Sequence, residues 1–315
     1  MSQNLSLGHV LSTSPSFGQR TKEPLELLES FGHSVQLLAR DDIRQIPEIL
    51  RTAVAWVVGF EKVNEETLAD SPNLRVVAKC GAGLDNFDLP YLASRNITVV
   101  SVPGGNARAV AEYTMSQVLA LARGTISNDK TMRSGVWGPN VGKGLDGRTM
   151  GIIGFGAIGR MLVSMAQAFG LNVIVTDPLV SIEEVTDLGG HLVPLEDLLV
   201  SADFVSLHVP LTPITARMIN RETLLTLKPG SFLINNSRGG VVDETAVGEM
   251  LHSGHLAGAA LDVFEHEPLK NDSPLLKAPN LILSSHTSGY SDTTLALVTL
   301  TCARLVAEAL TASSR

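Results

Sequence analysis

The feature that most restricts the fold of this chain is a glycine pattern caught between a strand and a helix. Thr149-Met150-Gly151-Ile152-Ile153 has the composition of a buried strand, runs straight into Gly154-Phe155-Gly156-Ala157-Ile158-Gly159, and is followed by the helical run Arg160 to Phe169. In that setting the three glycines do different things. Gly154 makes the tight turn, Gly156 lets a pyrophosphate approach the backbone, and Gly159 lets helix pack closely on strand. The amides of Ala157 and Ile158 then stand at a helix N-terminus, where unpaired donors and the dipole favour an anion. The next strand, Asn172 to Thr176, ends at Asp177, 18 residues past Gly159. A carboxylate at that distance accepts from the adenosine ribose hydroxyls and repels a 2′-phosphate, so the expected cofactor is NAD rather than NADP.

The rest of the chain agrees with an α/β fold. Short β-branched runs alternate with helical patterns: Ala53 to Val58, Leu74 to Ala78, Ile97 to Val100, Met150 to Ile153, Val173 to Thr176, Phe204 to Val209, Phe232 to Asn235 and Leu281 to Leu283. Between most of them apolar residues recur at helical spacing, as in Leu25, Leu28 and Phe31. Runs that are apolar without alternation belong to strands buried on both faces, hence to parallel sheets. The stretch Gly135 to Gly147 holds five glycines and one proline and reads as a loop. It is not a triphosphate loop, because only three residues separate Gly138 from Gly142 and Lys143 is followed by Gly144 rather than Ser or Thr.

Composition narrows the partners. A net charge of −8 disfavours phosphate backbones, so no nucleic acid is expected. Cys80 and Cys302 form neither a disulfide framework nor a zinc spacing, which points to a reducing cytoplasm and to no metal. Met1 to Leu11 lacks the basic start and apolar run of a signal peptide, and no stretch is expected to reach the roughly 18 apolar residues of a membrane span, so no membrane partner is expected.

Three later segments carry acid–base chemistry at strand ends. Arg238 follows the strand Phe232 to Asn235, and its planar fork suits a substrate carboxylate. Ala260-Leu261-Asp262-Val263-Phe264-Glu265-His266-Glu267-Pro268 ends another strand in an acidic cluster, and Leu281 to Leu283 leads to Ser284-Ser285-His286-Thr287-Ser288-Gly289. A histidine can give the proton that a carbonyl oxygen takes up while its carbon receives hydride, and a carboxylate on the other ring nitrogen would orient it. Singly, each has a plainer reading: Arg238 as a surface cation, Glu267 as a solvated loop acid, His286 as a capped core histidine. His252 and His255 are spaced for an exposed helix face.

Together these segments resemble the D-isomer-specific 2-hydroxyacid dehydrogenases, closest to the phosphoglycerate dehydrogenase branch in its short form. The resemblance rests on Lys79 to Asp88, Pro103 to Asn106 with Ala111-Glu112, Gly154 to Gly159, Asn236 to Gly239, Asp262 to Pro268 and His286 to Gly289. It implies a Rossmann-type NAD-binding domain (residues 101–287) inserted into a flavodoxin-like substrate domain (residues 1–100 and 288–315), each a parallel sheet flanked by helices. It implies Arg238 as carboxylate anchor, Glu267 and His286 as the acid/base pair, and Ala82, Gly83 and Asn106 as further substrate contacts. Val209, Pro210, Asn236, Ser237, Asp262 and Gly289 match positions around the cofactor. A homodimer with contacts through the helix beginning near Arg108 is implied as well, and the substrate is a small 2-hydroxy or 2-oxo acid such as hydroxypyruvate, glyoxylate or 3-phosphoglycerate. Two positions depart from the pattern: Gly59 or Phe60 stands where phosphoglycerate dehydrogenases carry an arginine for the phosphate, and Ser285 precedes His286 where proline is common. A ligand sensor with the same fold would have lost a catalytic residue; Arg238, Glu267 and His286 are all present.

Overall fold

The computed structural model describes residues 7–313, so Met1–Ser6 of the N-terminal stretch read above lie outside the described residues. The chain divides into two compact units, one formed by Met1–Asn106 with Ser291–Arg315 and the other by Ala107–Tyr290.

The first unit opens with β1 (His9–Ser12), α1 (Glu23–Ser30), β2 (Ser34–Leu37), α2 (Ile46–Leu50), β3 (Ala53–Val58), β4 (Val76–Lys79), α3 (Leu89–Ser94) and β5 (Thr98–Val100). Its sheet is parallel throughout, in the order β2-β1-β3-β4-β5. From Ala55 onward alternate side chains of β3 enter different cores, as the pleat requires: Ala55 and Val57 join Val10, Val76 and Ala78, whereas Trp56 and Val58 join Leu11, Leu50 and Leu92. β3 is buried at all six residues, which is why it was readable as an unbroken apolar run.

The second unit contains α4 (Ala107–Arg123), α5 (Thr125–Arg133), β6 (Thr149–Ile153), α6 (Ala157–Ala168), β7 (Asn172–Thr176), α7 (Ile182–Thr186), β8 (His191–Leu192), α8 (Leu195–Ser201), β9 (Phe204–Leu207), α9 (Arg221–Thr226), β10 (Ser231–Asn235), α10 (Glu244–His252), β11 (Leu256–Leu261) and β12 (Leu281–Leu283). Its parallel sheet runs β12-β11-β10-β9-β6-β7-β8. The first strand of the unit therefore lies inside the sheet, and the strand order turns back between β6 and β9, the arrangement of a Rossmann-type fold. Residues 135–147 form the expected loop, outside any helix or strand.

The chain then returns to the first unit with α11 (Asp292–Ala312). By length and composition α11 is apolar enough to cross a membrane, with a mean hydropathy of 1.6, which corrects the expectation that no segment reaches that limit. Its Val298, Cys302, Ala303, Val306 and Leu310 are buried in the core of the first sheet, so here the apolar character serves packing. Two smaller expectations also change. Phe31 is 41% exposed and lies past the end of α1 rather than on its packed face. His255 is not on a helix face: Gly254, at φ 76°, ends the turn after α10, and His255 Nε2 pairs with the Leu224 carbonyl at 3.0 Å.

Candidate active site

The glycine loop joins β6 to α6, and steric contacts account for Gly154 and Gly159. Gly154 has φ 99°, and a Cβ there would lie 2.5 Å from the His208 carbonyl oxygen after β9. At Gly159 a Cβ would collide with the Gly154 carbonyl oxygen. Gly156 is different, since nothing lies within 4 Å of its Cβ position. It is the N-cap of the 12-residue α6 and offers no capping side chain. The amides of Ala157 and Ile158 thus begin a long helix behind an open, uncapped glycine, which fits a pyrophosphate. Asp177, just past β7, holds the loop from behind: Oδ2 accepts the Phe155 N–H at 2.7 Å and Oδ1 the Leu179 N–H at 2.9 Å. Each oxygen keeps a second lone pair for ribose hydroxyls. Val209 and Pro210 follow β9 beside this turn.

Arg238, Glu267 and His286, the candidate acid–base residues, follow the carboxyl ends of β10, β11 and β12. His286 Nδ1 lies 2.8 Å from Glu267 Oε2, and each side chain keeps about a third of its surface exposed, 38% and 32%. Glu267 Oε1 accepts the Phe264 N–H at 3.1 Å, so both carboxylate oxygens are engaged. Burial raises the Glu267 pKa, but the hydrogen bond and charge of His286, the Phe264 N–H and the Arg238 charge outweigh it, and the net shift is downward. Glu267 is therefore a carboxylate with Nδ1–H of His286 as its donor. Arg238 is partly buried and donates to the Ser237 carbonyl at 2.7 Å. Gly239 locks this strand end to the acidic loop, because a Cβ there would collide with the Phe264 carbonyl carbon.

His286 itself sits at φ 53°, a left-handed conformation that costs a side-chain-bearing residue about 1–2 kcal/mol. Asp262 supplies the compensation. Its fully buried carboxylate accepts from Ser284 Oγ at 2.6 Å, Thr287 N–H at 2.9 Å and Ser288 N–H at 2.8 Å, and its carbonyl accepts the His286 N–H at 2.7 Å. The loop through Gly289 is thereby hung on the end of β11.

A model of the NAD binding domain of the D-isomer specific 2-hydroxyacid dehydrogenases matches residues 115–288. The chain belongs to this family. It is 39% identical over 226 residues to D-3-phosphoglycerate dehydrogenase of Mycobacterium leprae (strain TN), covering 71% of this chain but 43% of that protein, so it spans less than half the length of that relative. To glyoxylate reductase of Korarchaeum cryptofilum (strain OPF8) it is 39% identical over 261 residues, 81% of this chain and 77% of the relative. Among solved structures, the TT0316 protein from Thermus thermophilus superposes with a TM-score of 0.88 at 32% identity, covering 96% of this chain and 97% of that one.

Within this 2-hydroxyacid dehydrogenase fold the remaining motif residues have mixed surroundings. Asn236 turns its amide toward α4, where Nδ2 donates to Thr114 Oγ1 at 2.9 Å and Gln117 Oε1 at 2.8 Å, leaving a buried Oδ1 that no described residue engages. An orphaned acceptor of this kind suits the N–H of a carboxamide. Ser237 Oγ donates inward to Asn235 Oδ1 at 2.8 Å. In the first unit, Ala82 is exposed and Gly83 partly buried just past β4, and the Gly81 carbonyl accepts the Val102 N–H at 2.8 Å, tying this loop to the segment that ends at Asn106. Residue spacing missed Thr114 and Gln117, whose interval of three along α4 was the only signal, and Ser284, noted only as part of the segment before His286. His208, the other histidine at a strand end, pairs through Nε2 with Ser206 Oγ at 2.8 Å, and its buried Nδ1 has no partner among the described residues; burial lowers its pKa to about 4, so it is neutral.

Proposed function

We propose that the chain is an NAD-dependent oxidoreductase acting on the CH–OH group of D-2-hydroxy acids, and in reverse a 2-oxoacid reductase, with hydroxypyruvate, glyoxylate or 3-phosphoglycerate as the range of substrates. The observation that carries this reading is the 2.8 Å His286–Glu267 pair at adjoining strand ends, with the Arg238 charge felt at the same carboxylate. Residues holding the cofactor are Gly154, Gly156, Ala157, Ile158 and Gly159 at the pyrophosphate, Asp177 at the ribose, and Val209, Pro210, Asn236, Ser237 and Gly289 further along, with Asp262 supporting the last segment. NAD, when bound, supplies or accepts the hydride at carbon 2.

Everything else falls to the chain. Arg238 grips the substrate carboxylate and orients the carbonyl. With Nδ1 committed to Glu267, proton exchange with the carbon-2 oxygen falls to His286 Nε2. During reduction the ring gives up this proton, and during oxidation it takes one up while Glu267 stabilises the resulting imidazolium. Homodimerisation is part of the proposal: α5 buries no residue of its own, and Trp137 and Val141 in the following loop are 88% and 94% exposed. Two free thiols fit a reducing cytoplasm.

The reading is tested by NADH consumption with the purified protein and a panel of 2-oxo acids bearing hydroxyl, alkyl, phosphate or sulfonate at carbon 3. His286→Ala is expected to lose at least about 10²-fold in turnover while still binding NADH, the usual size of a general-acid contribution. Near-normal turnover would remove His286 as the acid, and no turnover of any 2-oxo acid by the unmodified protein would overturn the reading.

A further inference from the structure

The chain has two cysteines, Cys80 and Cys302, far apart in sequence, and the first unit brings them together as hydrogen-bond neighbours in one core. Cys80 directly follows β4 and is the middle residue of a three-residue turn, closed by the Gly81 N–H on the Lys79 carbonyl at 2.9 Å. Cys302 lies midway along α11, which packs against β4. A circuit of contacts holds the two segments in place. The Gly81 carbonyl accepts the Val102 N–H at 2.8 Å, and a Cβ on Gly105 would lie 2.8 Å from Val102 Cγ1 and 2.9 Å from Val298 Cγ2. Val298 stands four residues before Cys302, on the same face of α11. The meeting of the two thiols is therefore a product of packed backbone and not of two mobile side chains.

The thiols differ in what can reach them. Cys80 is partly exposed, whereas Cys302 is fully buried. The hydrogen bond to Cys80 and burial both raise the Cys302 pKa, so this thiol keeps its proton and directs it at Cys80 Sγ. A small oxidant from solvent thus meets Cys80 first, with Cys302 waiting behind it. Closing the pair to a covalent bond of about 2.05 Å requires a short movement of the turn. Gly81, at φ 151° and with nothing within 4 Å of its Cβ position, leaves room for it.

We propose that Cys80 and Cys302 form a reversible oxidation site, at which Cys80 takes an oxygen atom from a hydroperoxide and Cys302 converts the product to a disulfide. In the first step the Cys80 thiolate attacks the peroxide: an S–O bond forms, the O–O bond breaks, and the departing alkoxide or hydroxide takes up the proton that Cys80 released. In the second, Cys302 attacks the Cys80 sulfur: the S–S bond forms, the S–O bond breaks, and the leaving hydroxide takes the Cys302 proton to become water. The two thiols lose two electrons, which the peroxide oxygens gain. The bond fastens α11 to the end of β4 and stops Cys80 from passing to the irreversible sulfinic acid. Such a bond is transient in a reducing compartment, since a dithiol reductant reopens it. Both thiols belong to the first unit, so the site stands apart from the proposed reaction.

The experiment treats the full chain with hydrogen peroxide, alkylates the remaining thiols and maps the cysteine peptides by mass. Met132 and Met161 are exposed and also take up oxygen, so only the cysteine peptides are read. In the unmodified protein both thiols should disappear together into one linked Cys80–Cys302 peptide, two hydrogens lighter than its parts and restored by dithiothreitol. Cys302→Ala should leave Cys80 to be trapped by dimedone and, with excess peroxide, to become a sulfinic acid that dithiothreitol does not reverse. Cys80→Ser should slow the oxidation of Cys302 at least about tenfold. If the alanine variant folds poorly, the peptide map of the unmodified protein still decides. Cys80 oxidised to sulfinic acid beside a free Cys302, a disulfide between the Cys80 residues of two copies, or no reaction of Cys80 at all overturns the assignment.

Discussion

Replacing Asp262 by asparagine separates two roles that the motif position leaves open, contact with the cofactor and support of His286. The carboxylate is 0% exposed and receives three donors, from Ser284, Thr287 and Ser288. An asparagine has one oxygen, so its amide must face either the Ser288 N–H or the pair formed by Ser284 and Thr287. The first choice loses least: one charge-assisted bond, worth about 1.5–3 kcal/mol, and the charge that strengthened the other two, for a total of about 2–4 kcal/mol. That matches or exceeds the ~1–2 kcal/mol that the left-handed conformation at His286 costs, so the loop loses the margin that keeps it there. A displacement of about 1 Å at a reacting group lowers rate about 10²-fold. Asp262→Asn is therefore expected to lower kcat about 10²-fold, with the NADH dissociation constant by fluorescence rising less than about threefold. In the background of His286→Ala the same change should cost little more, because the two residues act as one unit. Normal kcat with tenfold weaker NADH binding, or losses that multiply in the double variant, would refute the positioning argument.

Three further outcomes follow from the same geometry. NADH should support a much higher kcat/KM than NADPH, and Asp177→Ala should narrow the gap by removing both ribose acceptor and repulsion; because Asp177 also holds the Phe155 N–H, its NADH affinity should fall as well. Equal use of NADPH by the unmodified protein would contradict the first of these. Glu267 has its pKa held below the ordinary 4.5, so the stability it contributes is complete above that pH and disappears as pH falls through the lowered value. The melting difference between Glu267→Gln and the parent, measured by calorimetry at pH 7 and again near pH 3, should shrink at the lower pH; a constant difference would remove the linkage. Trp137→Ser, with the side chain 88% exposed in the single chain, should shift the protein toward monomer in sedimentation velocity, and a parent that already sediments as a monomer would dismiss the dimer.

What the residue pattern makes legible is set by how local the deciding physics is. β3, apolar at every position, and the glycine turn, whose three glycines lie within six positions of one another, are readable without the rest of the chain, although the atom that crowds Gly154 is the distant His208 carbonyl oxygen. β1, β2 and β8 are only four, four and two residues long and escape a pattern search. What makes β1 a strand is its place between β2 and β3, where Val10 pairs with Val35 and Ala55, a relation no window of sequence contains. The same limit divides the candidate site. Arg238, Glu267 and His286 can be placed because each follows an apolar run, but which atoms of a motif residue remain for a ligand depends on partners far away in the chain. Asn236 gives its Nδ2 to residues 122 and 119 positions away, and Asp262 gives both oxygens to residues 22 to 26 positions away. A motif thus names the side chain, while the fold decides which of its donors and acceptors are already engaged. For Asn236 that leaves Oδ1, and for Asp262 it leaves a scaffold, so two residues of similar motif standing take opposite parts in the proposed chemistry.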